Sequence, residues 1–197
     1  MKNNVLIILR FIIPIIFANL IISCQNKENQ KREAHLKSIV KNCLGEKLII
    51  PDSLIIYTPF HNYLADSVQL SNAKFKIYSH VNVSCPACVR DILLWNKIIP
   101  SFKKLGVPVI LICDSDDNFE LFKYIIESGE IKNFFYPFFL DVKCDFLTQN
   151  GFMKESLHFE TVLTSRENSI LLVGSPIHSK EMKDIYLNEI QKRMEEQ

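Results

Sequence analysis

The stretch Ser84-Cys85-Pro86-Ala87-Cys88 decides how this chain is read. A run rich in β-formers, Phe75–Val83, leads into it, and a run with helical spacing, Val89–Leu105, leads out. The pattern predicts a central strand that delivers Cys85 to the N-terminus of a helix. At a helix start the first backbone N–H groups lack partners and the helix dipole is positive. A cysteine placed there is favoured as its thiolate. Such thiols titrate between about 3.5 and 7.5 rather than near 8.5. Pro86 suits the first helical position, where its missing N–H would be unpaired anyway. Cys88, one turn further on, is placed to attack a mixed disulfide formed on Cys85 and release the partner. The plain alternative is an inert structural disulfide or two buried thiols.

Beyond the motif, Ile92, Leu93, Trp95, Ile99 and Phe102 give the helix an apolar face, with Trp95 read as core packing. Pro100 predicts a kink or an end, because it removes a donor and constrains Ile99. Val107–Cys113 is a continuous apolar run, as in a buried parallel strand. The spacing of Asp114-Ser115-Asp116-Asp117 fits no calcium loop and reads as a loop that caps the next helix. Phe119–Ile126 is that helix, with Gly129 as its stop signal. Phe134–Asp141 reads as a further buried strand, and Val142–Phe152 as a loop. Thr161–Thr164 and Ser169–Val173 read as antiparallel strands joined by Ser165-Arg166-Glu167-Asn168, and Lys180–Met194 as a final helix. The order β-α-β-α-β-β-β-α implies parallel strands joined by right-handed crossovers, then a hairpin and a covering helix. The fold class is therefore α/β, a central mixed sheet flanked by helices. The carboxyl end of its first strand, where reactive groups of such sheets gather, carries Cys85.

Upstream, the chain begins with a basic start and an apolar run from Val5 to Ile22, interrupted by Arg10, Pro14 and Asn19. This reads as a secretory signal peptide over residues 1–23. Gln25–Glu33 lacks an apolar period, and residues 24–33 read as a flexible tether. Residues 34–74 form an N-terminal extension, with a short amphipathic helix at His35–Val40. Its two strand-like runs, Lys47–Ile50 and Leu54–Tyr57, suggest a hairpin or an edge addition to the sheet. Residues 75–197 form the main domain. Net charge is +1 and no basic stripe occurs, which argues against nucleic-acid binding. Only five glycines are present, with neither a P-loop nor a dinucleotide fingerprint.

Ile21-Ile22-Ser23-Cys24 resembles the bacterial lipobox, which implies lipidation of Cys24 and an anchor in the membrane. From Phe75 onward, roughly two-thirds of the chain resembles thioredoxin-like lipoproteins of the bacterial cell envelope, near the redoxin and cytochrome-maturation thioredoxin branch. The residues that carry the resemblance are Cys85-Pro86-Ala87-Cys88, Trp95, the strand ending in Asp141, Thr161-Val162-Leu163 and Leu172-Val173-Gly174-Ser175-Pro176. The resemblance implies a thioredoxin-like fold in which Cys85 attacks and Cys88 resolves. It implies thiol–disulfide exchange on exported proteins with thiols or disulfides, and no cofactor beyond the Cys85–Cys88 disulfide. A reductant of this kind must be recharged, which calls for a membrane redox partner. The resemblance places the domain at the envelope of a Gram-negative bacterium, facing the periplasm or the cell surface.

Two departures stand out. Thioredoxins place a cis-proline before the antiparallel strand, but here that neighbourhood reads Leu157-His158-Phe159-Glu160-Thr161, so a trans peptide is expected. Ser84, not tryptophan, precedes Cys85. His158 and Glu160 are auxiliary candidates opposite the cysteines, and His80 is a further candidate for tuning the thiolate. Copper chaperones on a thioredoxin fold use two cysteines and a histidine. That likeness offers Cys85, Cys88 and His158 as an alternative ligand set for Cu(I) or Zn(II). A non-catalytic binding lipoprotein is the other alternative. Cys113 reads as a core residue, and Cys43 and Cys144 as a possible bridge.

Overall fold

The computed structural model describes residues 28–60, 70 and 72–196. The expected signal peptide, the lipidation site Cys24 and tether residues 25–27 lie outside the described residues. So do residues 61–69 and 71. The chain divides into two compact units, residues 1–42 and 43–197. In the first, residues 28–42 are helical throughout. The tether expected up to Glu33 is thus already helix from residue 28. Straight-chain helix formers dominate there, and Glu33 and Lys37 pair at 2.6 Å one turn apart. Among the described residues, no helix is long and apolar enough to cross a membrane.

In the second unit, alternation along the strands builds two cores on the faces of one sheet. Strand β1 is Ile55–Tyr57, β2 is Phe75–Asn82, β3 is Val109–Asp114, β4 is Phe138–Leu140, β5 is Thr161–Ser165 and β6 is Ile170–Val173. Their order is β1-β4-β3-β2-β5-β6. Strands β2, β3 and β4 are parallel neighbours, while β5 runs antiparallel to β2, β6 to β5 and β1 to β4. On one face, Ile77, Val81, Val109, Leu111 and Leu163 pack with helices α1 (Pro86–Lys103), α2 (Glu120–Glu127) and α4 (Lys180–Glu195). On the other, Tyr78, Ile110, Ile112 and Val162 pack with Leu48, Met153 and Phe146, the last from the short helix α3 (Asp145–Gln149). From α1 alone, Val89, Ile92, Trp95, Ile99 and Phe102 are buried, each contributing about 2 kcal/mol of apolar transfer.

Several expectations shift, each for a local reason. Helix α1 runs through Pro100 to Lys103 instead of ending there. Only one turn remains beyond the proline, and fully buried Ile99 and Phe102 hold that turn on the sheet. Strand β4 is confined to Phe138–Leu140, because Pro137 offers no ladder donor. The Phe134 ring instead stacks on Phe138 at 4.8 Å between centroids. The loop expected over Val142–Phe152 contains α3, begun by buried Asp141, whose carboxylate accepts from the N–H groups of Asp145 (3.1 Å) and Phe146 (2.7 Å). The two upstream strand candidates form no hairpin. Ile55–Tyr57 joins the sheet beside β4, whereas Lys47 bridges Ser169 near β6, at the opposite edge.

Candidate functional site

The carboxyl ends of β2 and β3 set the site. Beyond β2 the chain turns through Val83 and Ser84, and the turn is fixed to the loop after β3. The Ser84 hydroxyl donates to Asp117 Oδ1 at 2.9 Å and accepts from the Asp116 N–H at 2.8 Å. Asn82 Oδ1 accepts from the Ser84 N–H at 2.9 Å, and its Nδ2 donates to Asp116 Oδ2 at 3.1 Å. Thus Asp114-Ser115-Asp116-Asp117 does more than start α2, where Asp117 Oδ2 accepts from the Leu121 N–H at 3.0 Å. It also anchors the residue before Cys85.

Cys85 is the N-cap of α1, in extended conformation, with Pro86 following at the helix start. Its Sγ accepts from the Cys88 N–H at 3.4 Å. The two side chains meet as thiols and share a hydrogen bond. That bond, the N–H groups of Cys88 and Ala87, and the Arg90 charge hold Cys85 below the ordinary thiol range. Cys88 moves the opposite way, pushed up to about 12 by burial, by its bond to Cys85 and by the Cys85, Asp91 and Glu160 charges. The two sulfurs therefore split into a ready nucleophile and a protonated neighbour.

Beside Cys88 opens a groove of about 500 Å³. His80, Asp114, Trp95 and Glu160 line it, and His158 stands at its rim. His80 is buried on β2, with Nε2 2.9 Å from Asp114 Oδ2 and Nδ1 3.6 Å from Glu160 Oε1. The Nε2 contact lacks the alignment of a good hydrogen bond and the Nδ1 contact is too long for one, yet both carboxylates face the ring at close range. Burial alone would lower the His80 pKa, but the Asp114 and Glu160 carboxylates outweigh it and raise it to about 9. At neutral pH His80 is an imidazolium between two carboxylates. Residue spacing signals this group only weakly, because His80 and Asp114 are 34 positions apart. The parallel register brings them together by placing Asn82 against Asp114.

The auxiliary candidates are distributed unequally. Glu160 reaches both His80 and the groove. His158 lies in a short 3-10 turn, Leu157–Phe159, exposed and with its N–H on the Ser156 hydroxyl. Among the described residues, no group of three or more His, Cys, Asp and Glu side chains is arranged to hold a metal ion. Cys85, Cys88 and His158 thus form no ligand cluster. No described peptide bond is cis. Cys113 is fully buried, as expected, whereas Cys43 and Cys144 form no bridge: the first is in the core and the second is exposed.

In fold, the chain is similar to a protein from Chlorobium tepidum described as a thiol:disulfide interchange protein, DsbE. The two are 14% identical over 73% of this chain and 96% of that one, with a TM-score of 0.50. A protein from Aquifex aeolicus described as an electron transfer protein is 16% identical over 76% and 95%, with a TM-score of 0.48. A thioredoxin-like protein from Bacteroides caccae is 18% identical over 83% and 55%, with a TM-score of 0.45. No family model matches the chain, and no curated protein matches it in sequence. The fold is thioredoxin-like, a six-stranded mixed sheet flanked by helices.

Proposed function

We propose that this protein is a thiol–disulfide oxidoreductase working through Cys85 and Cys88. The carrying observation is the opposite bias on the two sulfurs. Cys85, at the helix N-terminus, is lowered towards the thiolate, while Cys88, half-buried beside it, is raised. The Cys85 thiolate attacks one sulfur of a partner disulfide, and the far sulfur leaves as a thiolate that takes a proton from water. Cys88 then attacks the Cys85 sulfur, gives up its proton and releases the second thiol. The enzyme dithiol ends as a disulfide, and two electrons pass to the partner. In reverse, the same pair oxidises a dithiol.

Cys24 would carry the lipid, the residues after it would lead to the domain, and exported proteins would be the partners. The Ile21-Ile22-Ser23-Cys24 sequence supports that placement. Reduction of insulin disulfides, coupled to a thiol reductant, tests the chemistry. Turnover by the wild type that disappears in Cys85→Ser is the expected result. Equal turnover by the variant rejects the assignment. Loss of a lipid mass increment in Cys24→Ser tests the anchor separately.

A further inference from the structure

The groove beside Cys88 carries more than disulfide exchange requires. Asp91, Asp114 and Glu160 all contribute carboxylates to it, and no lysine or arginine lines it among the described residues. His80, between Asp114 and Glu160, offsets one of these charges and leaves an excess of negative charge. Asp91 meets His178 at 3.4 Å, and that imidazole is more than half exposed. A second observation is independent of charge. The Trp95 indole N–H and Asp114 Oδ1 are buried without a hydrogen-bond partner, and both residues line the groove. Buried donors and acceptors are nearly always paired. An indole N–H calls for an acceptor such as a carbonyl, and a carboxylate oxygen for a donor such as an N–H. Leu147, Leu157 and Ile177 complete the walls, with Leu157 82% exposed at the rim. Carboxylates beside apolar walls suit a methylene stem that ends in a positive charge.

We propose that the groove selects disulfides in which a lysine or arginine lies next to the reacting cysteine. The cation is drawn towards Asp91 and Glu160, its stem lies against the apolar wall, and the adjoining peptide carbonyl faces Trp95. This rests on the exchange reaction at Cys85 and Cys88.

Two tripeptides test it, one with lysine and one with glutamate beside a central cysteine, each as its mixed disulfide with 2-thiopyridine. Cys85 attacks the peptide sulfur, and thiopyridone leaves with a proton. Cys88 then displaces the peptide as a thiol, its own proton passing to the leaving sulfur. Both peptides share one leaving group, so the ratio of their rates reports recognition. The reaction is run on the full chain at pH 8, where an ordinary imidazole is neutral. The lysine peptide is expected to react about tenfold faster. That ratio should fall below about threefold in the Asp91→Asn/Glu160→Gln double variant, in Asp91→Asn alone by an intermediate amount, and in the wild type at high salt. A ratio near one in the wild type, a preference for glutamate, or a preference that survives the double variant overturns the proposal. If the wild type releases thiopyridone from both peptides without preference, selection alone fails. If it releases none from either, the exchange reaction fails with it.

Discussion

Replacing His80 by glutamine should flatten the pH dependence of stability. In the folded protein His80 stands between Asp114 at 2.9 Å and Glu160 at 3.6 Å, and its pKa is raised from 6.5 to about 9. The folded state therefore binds this proton more tightly than the unfolded chain. The resulting stabilisation is fully present below pH 6.5 and is lost as pH rises through 9. At about 1.4 kcal/mol for each pH unit, it amounts to about 3 kcal/mol. That is a large share of the roughly 5–15 kcal/mol that holds an ordinary domain folded. Denaturant unfolding at pH 6 and pH 10, in the presence of a reductant, measures it. Wild-type protein should lose about 3 kcal/mol more over that interval than His80→Gln. Thiols and tyrosines also titrate there, but they are common to both proteins and cancel in the difference. Parallel stability curves for the two proteins would refute the charge pairing.

Other outcomes follow from the same geometry. At pH 7, iodoacetamide should alkylate Cys85 at least about tenfold faster than Cys88, read by peptide mass spectrometry. Glu160→Gln removes a charge that raises Cys88, so alkylation of Cys88 at pH 9 should quicken by about two- to threefold. Gly174→Ala should lower the melting temperature by several degrees. The glycine φ is +132°, and an added Cβ would lie 2.8 Å from Met182 Cε. Ser84→Ala deletes the hydroxyl that ties the Cys85 turn to Asp116 and Asp117, and should cost about 1 kcal/mol in denaturant unfolding.

Much of the fold was legible because strand and helix periods dominate where burial is heaviest. Phe75–Val83 and Val107–Cys113 are rich in β-formers, and they became the parallel centre of the sheet. Cys85 at the cap was readable from the change of period across the motif and from Pro86, since proline favours the first helical position. The misread segments depend on partners far along the chain. Helix α3 starts where Asp141 turns back onto Asp145 and Phe146, and Val142, Phe146 and Leu147 are too few to show a helical period in so short a segment. Lys47–Ile50 and Leu54–Tyr57 are both strand-like runs, but Lys47 and Ile55 pair at opposite sheet edges, which no local pattern records. At the site, the sequence showed the sulfurs but not the groove. Trp95 was read as packing, and it is fully buried, yet it also lines the groove. Asp114 was read as part of a helix-capping loop, and the sheet register sets it against His80. His158 offered more suggestive chemistry from its position but lies on an exposed turn, whereas Glu160 reaches inward to His80.

The exchange reaction proposed for this protein depends on attack by Cys85 and resolution by Cys88. Cys88→Ser, incubated with a peptide disulfide and quenched in acid, tests it most directly by mass spectrometry. A peptide held covalently on Cys85 should persist in the variant, and the wild type should show an internal Cys85–Cys88 disulfide with free peptide. A peptide adduct on another cysteine, or no adduct at all in Cys88→Ser, would contradict it.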